Sequence, residues 1–153
     1  MRKLGWQLWR NTHVKRRISS LVAGTVLMLV VGACGTESLP PWLVRYYLGV
    51  PPGVTYAFRD DVVWTTGGRM AVVTCGSSGC PGLPIRLDVP RSNLLTVTVK
   101  ALAPGSCTAD LAATTSIIKV PSALDVSQNV TVTIIDGSYG ATVSLPPRAG
   151  AGN

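Results

Sequence analysis

The sequence predicts a mainly β protein, an antiparallel β-sandwich of immunoglobulin-like architecture. Residues 95–100 and 130–134 alternate between apolar and polar side chains, as strands with one buried face do. The pair Gly67-Gly68 separates two apolar runs, which is typical of a hairpin. Many Val, Thr, Gly and Pro residues, with few Glu and Lys, also favour strands and turns over helices.

The chain begins with a basic segment and then an apolar one. Residues 1–17 contain six Lys or Arg side chains and no acidic one, and residues 18–33 carry no charge. As a helix, the apolar run would reach only about 24 Å, short of the roughly 30 Å of a bilayer core. This pattern is typical of a signal peptide, whose basic flank stays in the cytoplasm. We therefore expect residues 1–33 to be a signal helix that exports the rest of the chain.

The apolar run ends in Val31-Gly32-Ala33-Cys34, which resembles the lipobox of bacterial lipoproteins. The resemblance implies that the thiol of Cys34 is acylated and that cleavage makes Cys34 the new N-terminus. It also implies that the mature chain is anchored to a cell membrane and faces outside the cytoplasm. The alternatives are cleavage by ordinary signal peptidase after Gly35, or no cleavage. The expected organisation is a lipidated tether at 34–41, a single domain at 42–146 and a loose tail at 147–153.

The charge distribution argues against a nucleic-acid partner. The chain has a net charge of +7, but six of its basic residues precede Cys34, and from Cys34 onward eight basic and seven acidic side chains nearly cancel. A protein that binds nucleic acid needs a basic surface, which the mature chain lacks in bulk. The only histidine, His13, lies in the predicted signal peptide. The mature chain therefore cannot form a Ser-His-Asp, a Cys-His or a histidine-bearing zinc site.

The elements of the mature domain can be predicted in order. Pro41 precedes the apolar run 42–48 and Gly49 follows it, and these residues often mark the start and end of a helix. A short helix at 41–48 is therefore expected, with a strand as the alternative. Eight strands follow at the spacing of a sandwich. They are predicted at 54–58, 62–66, 69–75, 85–89, 95–100, 116–120, 130–134 and 141–145.

Three cysteines remain after Cys34, namely Cys75, Cys80 and Cys107. Outside the cytoplasm two of them are expected to form a disulfide, which leaves one thiol over. A bond between Cys75 and Cys80 would close the shortest loop. A bond from either of them to Cys107 would link distant strands and stabilise the domain more, by roughly 3 kcal/mol. A redox role for these cysteines is the alternative, although their spacing is not Cys-x-x-Cys.

Six of the seven aromatic residues of the mature chain lie between residues 42 and 64. Exposed aromatic side chains often mark a binding surface. The candidate binding residues are Trp42, Tyr46, Tyr47 and Trp64, with an envelope protein or a glycan as the partner. The alternative is that these rings belong to the core.

Function is predicted only at the level of class. The sequence indicates a lipid-anchored binding or structural module of a bacterial cell envelope, with no cofactor and no metal. One alternative is a carboxylate-based enzyme or enzyme accessory, which would depend on Asp60, Asp61, Asp88 and Asp110. Adjacent Asp60 and Asp61 suit a solvated turn better than a calcium loop, because no regular Asp-x-Asp pattern surrounds them. The other alternative is a redox-sensing lipoprotein.

Overall fold

Eight strands form two four-stranded sheets that pack face to face. The computed structural model describes residues 38–55, 58–102, 105 and 107–150, and every regular element in these ranges is a strand. In chain order the strands are β1 (Leu43–Leu48), β2 (Asp61–Thr65), β3 (Arg69–Gly76), β4 (Gly82–Arg91), β5 (Leu94–Ala101), β6 (Ala112–Lys119), β7 (Val130–Asp136) and β8 (Tyr139–Leu145). Sheet A has the order β1-β6-β3-β2, and sheet B the order β4-β5-β7-β8. The predicted mainly β sandwich is confirmed.

The core lies between the sheets. The apolar positions predicted to face it are at most 4% exposed, and they are Leu95, Val97, Val99, Val130, Val132 and Ile134. The threonines between them are partly exposed, as expected for a strand with one covered face. Sheet A contributes Val62, Met70, Val72 and Ile118 from its inner face.

The helix predicted at 41–48 is wrong, because Leu43–Leu48 is strand β1. This segment pairs with β6 in antiparallel register, with Tyr46 opposite Ser116. Val and Tyr suit a pleated strand, and pairing supplies the backbone hydrogen bonds that a helix would have supplied internally. Gly49 ends the strand with a φ of 103°, so it marks the end of a strand here. The predicted signal helix and Cys34 lie outside the described residues.

The strand predicted at 54–58 is also wrong where the structure describes it. Residues 54, 55 and 58 are not in a strand, and Tyr56 and Ala57 lie outside the described residues. Phe58 has a φ of 50°, which a strand does not allow. The other seven predicted strands correspond to β2–β8, with shifts at their ends.

Sheet B is mixed rather than fully antiparallel. β5 and β7 pair in parallel, with Leu95 opposite Val132 and Val97 opposite Ile134. The chain leaves sheet B after β5, forms β6 in sheet A and returns to sheet B as β7. β6 runs from the end of the sandwich where β5 finishes to the end where β5 begins. β7 therefore starts beside the start of β5 and runs in the same direction.

Residues 49–60, here called the crossing segment, connect the two edge strands of sheet A. β1 and β2 lie at opposite edges, and Pro51 and Pro52 of this segment line a cavity with Ile117 on the outer face of the sheet. The hydroxyl of Thr115 donates to the carbonyl of Gly49 at 2.6 Å, and the N–H of Cys75 donates to Oδ1 of Asp60 at 2.9 Å. Sheet A is therefore buried on both faces, and its outer side chains Ala71, Val73, Thr115 and Ile117 are at most 5% exposed.

The two ends of the sandwich carry different connections. One end, here called the tether end because the expected tether precedes β1 there, contains the start of β1, the 66–68 hairpin, the 92–93 turn, residues 120–129 and residues 146–150. At the opposite, distal end lie residues 77–81, the described residues between 102 and 111, and the 137–138 hairpin. Arg148, in the predicted loose tail, donates its N–H to Val126 and a guanidinium N–H to Gly68. The compact unit is Thr36–Asn153, and it contains all eight strands and their core.

Candidate binding surface

Among the described strands, the exposed edge of β1 carries the most exposed large apolar side chains. β1 has β6 on one side and, among the described residues, no strand on the other. Val44, Tyr46 and Leu48 are 37%, 39% and 57% exposed. Tyr46 and Leu48 lie opposite Ser116 and Thr114 in the register with β6. Ser116 and Thr114 are buried, so in these cross-strand pairs only the side chains of the edge strand β1 are exposed.

The backbone of β1 also offers hydrogen-bonding groups at this edge. The N–H of Gly49 donates to the carbonyl of Ala113 at 2.8 Å. Since hydrogen-bonded positions alternate along an antiparallel pair, Tyr47 and Arg45 bond to β6 as Gly49 does. The N–H and C=O of Tyr46 and Leu48 therefore point away from β6, and an added strand could pair with them.

The other three edges are better protected. β4 has two register irregularities, contains Pro84 and Pro90, and carries an ion pair of 2.8 Å between Arg86 and Asp88. Prolines, bulges and charges all oppose the pairing of an edge with another chain. β2 and β8 contact each other across the sandwich, and Trp64 of β2 donates its Nε1–H to the carbonyl of Pro146 at 2.7 Å. The exposed large apolar side chains on these edges are Ile85 of β4 and Tyr139 of β8.

A shallow depression lies where β1 meets the crossing segment. It has a volume of about 520 Å³ and is lined by Arg45, Tyr46, Tyr47, Val50 and Pro52. The guanidinium carbon of Arg45 lies 5.7 Å from the centre of the Tyr47 ring, a cation–π distance. This contact joins the cation of Arg45 to the ring of Tyr47, and Tyr46 lines the same depression. Tyr and Arg are enriched among the residues that contribute most to binding energy at protein interfaces.

The four aromatic candidates occupy two kinds of environment. Trp42 and Trp64 are half-buried and pack against the core. Tyr46 and Tyr47 line the depression at the β1 edge. The structure therefore brings the two tyrosines together with Arg45 and does not place the tryptophans beside them. Sequence reasoning missed Arg45, Val50 and Pro52, because nothing local indicates that 43–48 is an edge strand.

The four candidate carboxylates occupy separate environments. Asp88 pairs with Arg86 on the outer face of sheet B. Asp110 accepts hydrogen bonds from the N–H of Ser78 and the hydroxyl of Thr108, and its hydrogen bonds with these two residues lower its pKa to about 2. The ion pair of Asp88 and the hydrogen bonds of Asp110 are typical of carboxylates in a structural role.

Asp60 and Asp61 share a cavity of about 230 Å³ with Arg59 and Tyr139. Burial raises the pKa of Asp60, the hydrogen bond from Cys75 lowers it in part, and the charge of Asp136 raises it further. This hydrogen bond holds the end of the crossing segment against β3. No group of three or more His, Cys, Asp or Glu side chains that could hold a metal occurs among the described residues.

A disulfide between Cys80 and Cys107 joins residues 77–81 to residues 102–111 at the distal end. The predicted disulfide is therefore present, in one of the longer closures. Around it Ser77 and Thr108 hydrogen bond at 2.8 Å, and the N–H of Gly79 donates to the hydroxyl of Thr108 at 3.1 Å. Cys75 is not part of the disulfide and lies at the end of β3, partly buried.

Comparison with models of known protein families, with curated proteins and with solved structures finds no match to this chain. The residues that the structure describes include no helix long and apolar enough to cross a membrane.

Proposed function

We propose that this chain is a lipid-anchored binding module of a bacterial cell envelope, held by Cys34, and that β1 binds an extended segment of another envelope protein. The observation that carries the binding part is the β1 edge, which combines exposed apolar side chains with outward-pointing backbone groups. A segment that adds to a sheet edge gains affinity from main-chain hydrogen bonds and specificity from alternate side chains. Here the depression beside Tyr46 and Tyr47 would accept such side chains.

The signal peptide pattern and the lipobox support the anchor. The expected tether at 34–41 together with Trp42 gives nine residues before β1, which extend at most about 30 Å. The binding strand therefore starts close to the membrane and runs away from it. An anchored module of this kind would recruit its partner to the membrane, or hold two envelope components together.

The anchor is tested by fractionation and by labelling with an alkyne analogue of a fatty acid. The wild-type chain should fractionate with membranes and incorporate the label. Cys34→Ala should lose the label and become soluble or remain an uncleaved precursor. A wild-type chain that is entirely soluble and begins at Thr36 would show that Cys34 is not lipidated.

The binding edge is tested by photo-cross-linking in cells. A photoreactive amino acid at Leu48 should give a discrete adduct, whose mass identifies the partner. The matched control is Ser144, an exposed position on the edge strand β8, which should give none. Tyr46→Pro should abolish the Leu48 adduct, because it removes an outward N–H while the bonds of β1 to β6 remain.

Thermal melts should show that Tyr46→Pro stays folded. An adduct that forms equally from Ser144, or one that persists in folded Tyr46→Pro, would contradict binding by strand addition at β1.

A further inference from the structure

The charges of the domain are separated between its two ends. At the tether end, Arg69 begins β3, Arg91 ends β4, Lys119 ends β6, and Arg148 lies beyond β8. These four side chains are here called the basic rim. Among the described residues none of them forms a salt bridge. Of the described carboxylates in this half of the domain, Asp125 accepts hydrogen bonds from Ser127 and Gln128, and Asp88 pairs with Arg86.

The distal end has the opposite sign. Its charged side chains are Asp60, Asp61, Asp110, Asp136, Arg59 and Lys100. β3, with eight residues, separates the two ends by about 25 Å. Since the Debye length is about 10 Å at 0.1 M salt, each end acts on its surroundings almost independently. The near-zero net charge of the mature chain therefore conceals a basic end and an acidic end.

The basic rim lies at the end where the tether enters. Glu37 is the one acidic residue between Cys34 and β1, so the region next to the anchor remains basic overall. A connection of nine residues alone would leave the domain free to tilt. Basic residues beside a lipid anchor provide a second attachment to anionic headgroups. Leu39, 48% exposed, adds an apolar side chain at the same place.

We infer that the tether end of the domain seats directly on the anionic surface of the membrane, through Arg69, Arg91, Lys119 and Arg148. This inference rests on the proposed anchor at Cys34. Seating would hold β1 upright, with its start at the membrane and the edge at Tyr46 and Leu48 accessible from the side. It would also turn the acidic, disulfide-linked distal end away from the negatively charged membrane.

The test uses the compact unit 36–153, which has its own core and lacks Cys34, so binding is measured without the anchor. Its partition is compared between vesicles of phosphatidylcholine alone and vesicles that also contain phosphatidylglycerol. The anionic vesicles should bind the unit at low salt and release it at high salt. Removing two cations with R69S/K119S should lower the partition coefficient roughly 25-fold, about fivefold per charge.

The matched control is A109D/S138D, which changes the net charge equally at exposed distal positions. It should alter the partition less than about twofold, because these positions lie beyond the Debye length. Equal losses in both double variants, equal binding to neutral vesicles, or no binding at low salt would overturn the inference.

A second measurement needs no substitution. Trp42 and Trp64 are the only tryptophans of the unit, and both lie at the tether end. Anionic lipids with brominated acyl chains should quench their fluorescence. Binding without quenching would mean that another face of the domain contacts the membrane. If the unit binds anionic vesicles but the full chain carries no lipid at Cys34, the membrane contact of the tether end is supported and the anchor is excluded.

Discussion

The two sheets differ in what covers their outer faces. In sheet A the crossing segment covers the outer face, and Val73 and Thr115 there are at most 1% exposed. In sheet B the outer face is open, and Thr96, Thr98 and Thr133 are partly exposed. β5 and β7 consequently alternate in burial, while the middle of β3 and of β6 is buried at every position. The difference shows that an irregular segment can convert a sheet face into core.

The strongest test of this difference between the two sheets is to place a charged side chain on the outer face of each. Val73→Asp in sheet A and Val97→Asp in the inter-sheet core should both unfold the domain, because each buries an unpaired charge at a cost of about 4 kcal/mol or more. Thr98→Asp in sheet B should change stability by about 0.5 kcal/mol or less. Thr98 is partly exposed on the open face of sheet B, so the new charge stays in contact with water. Thermal melts and urea unfolding compare the three variants.

A stable Val73→Asp domain would show that the crossing segment does not exclude water from sheet A. Equal damage from Thr98→Asp and Val97→Asp would show instead that β5 is covered on both faces.

The same difference explains how much the sequence could predict. The strict alternation at 95–100 and 130–134 identified both the strands and their core faces, because an open outer face selects threonine there. The choice of a strand over a helix for β1, and its position at an edge, could not be predicted, since both depend on pairing with β6, which lies about 70 positions away in the chain. The depression at Tyr46 and Tyr47 depends on that pairing and on the path of the crossing segment, and neither leaves a local signal.

Removing the disulfide tests how much it contributes to the stability of the two packed sheets. Residues 77–81 lead from sheet A to sheet B, residues 102–111 lead back, and the Cys80–Cys107 bond ties the two crossings together. Cys80→Ser/Cys107→Ser should lower the free energy of unfolding by about 3 kcal/mol, given the sequence separation of 27 between the cysteines. Urea unfolding with and without reductant measures the loss.

The control for this prediction is Cys75→Ser, which leaves the disulfide intact. It should change stability much less and should remain sensitive to reductant. If reductant leaves the wild-type domain as stable as before, the sheets are joined by packing alone and the disulfide adds little.

The smallest expected effect concerns Asp60, which holds the crossing segment to β3. Because its pKa is raised in the folded state, the folded domain binds its proton more tightly than the unfolded chain. The contribution of Asp60 to stability is therefore greatest below its ordinary pKa of 3.8 and is lost as pH rises through the folded value. Asp60→Asn keeps an oxygen that accepts the Cys75 N–H and removes the charge near Asp136. We expect Asp60→Asn to stabilise the domain at pH 7 by less than the two effects above, and to leave its stability unchanged at pH 3.

Asp110→Asn should change stability in the opposite direction. The pKa of Asp110 is lowered to about 2 in the folded state, so its contribution to stability is present above about pH 4 and is lost between about pH 4 and pH 2. Urea unfolding at both pH values separates the two carboxylates. A loss of stability in Asp60→Asn at pH 7 would mean that the crossing segment needs the charge of Asp60, rather than only its hydrogen bond, to stay on sheet A.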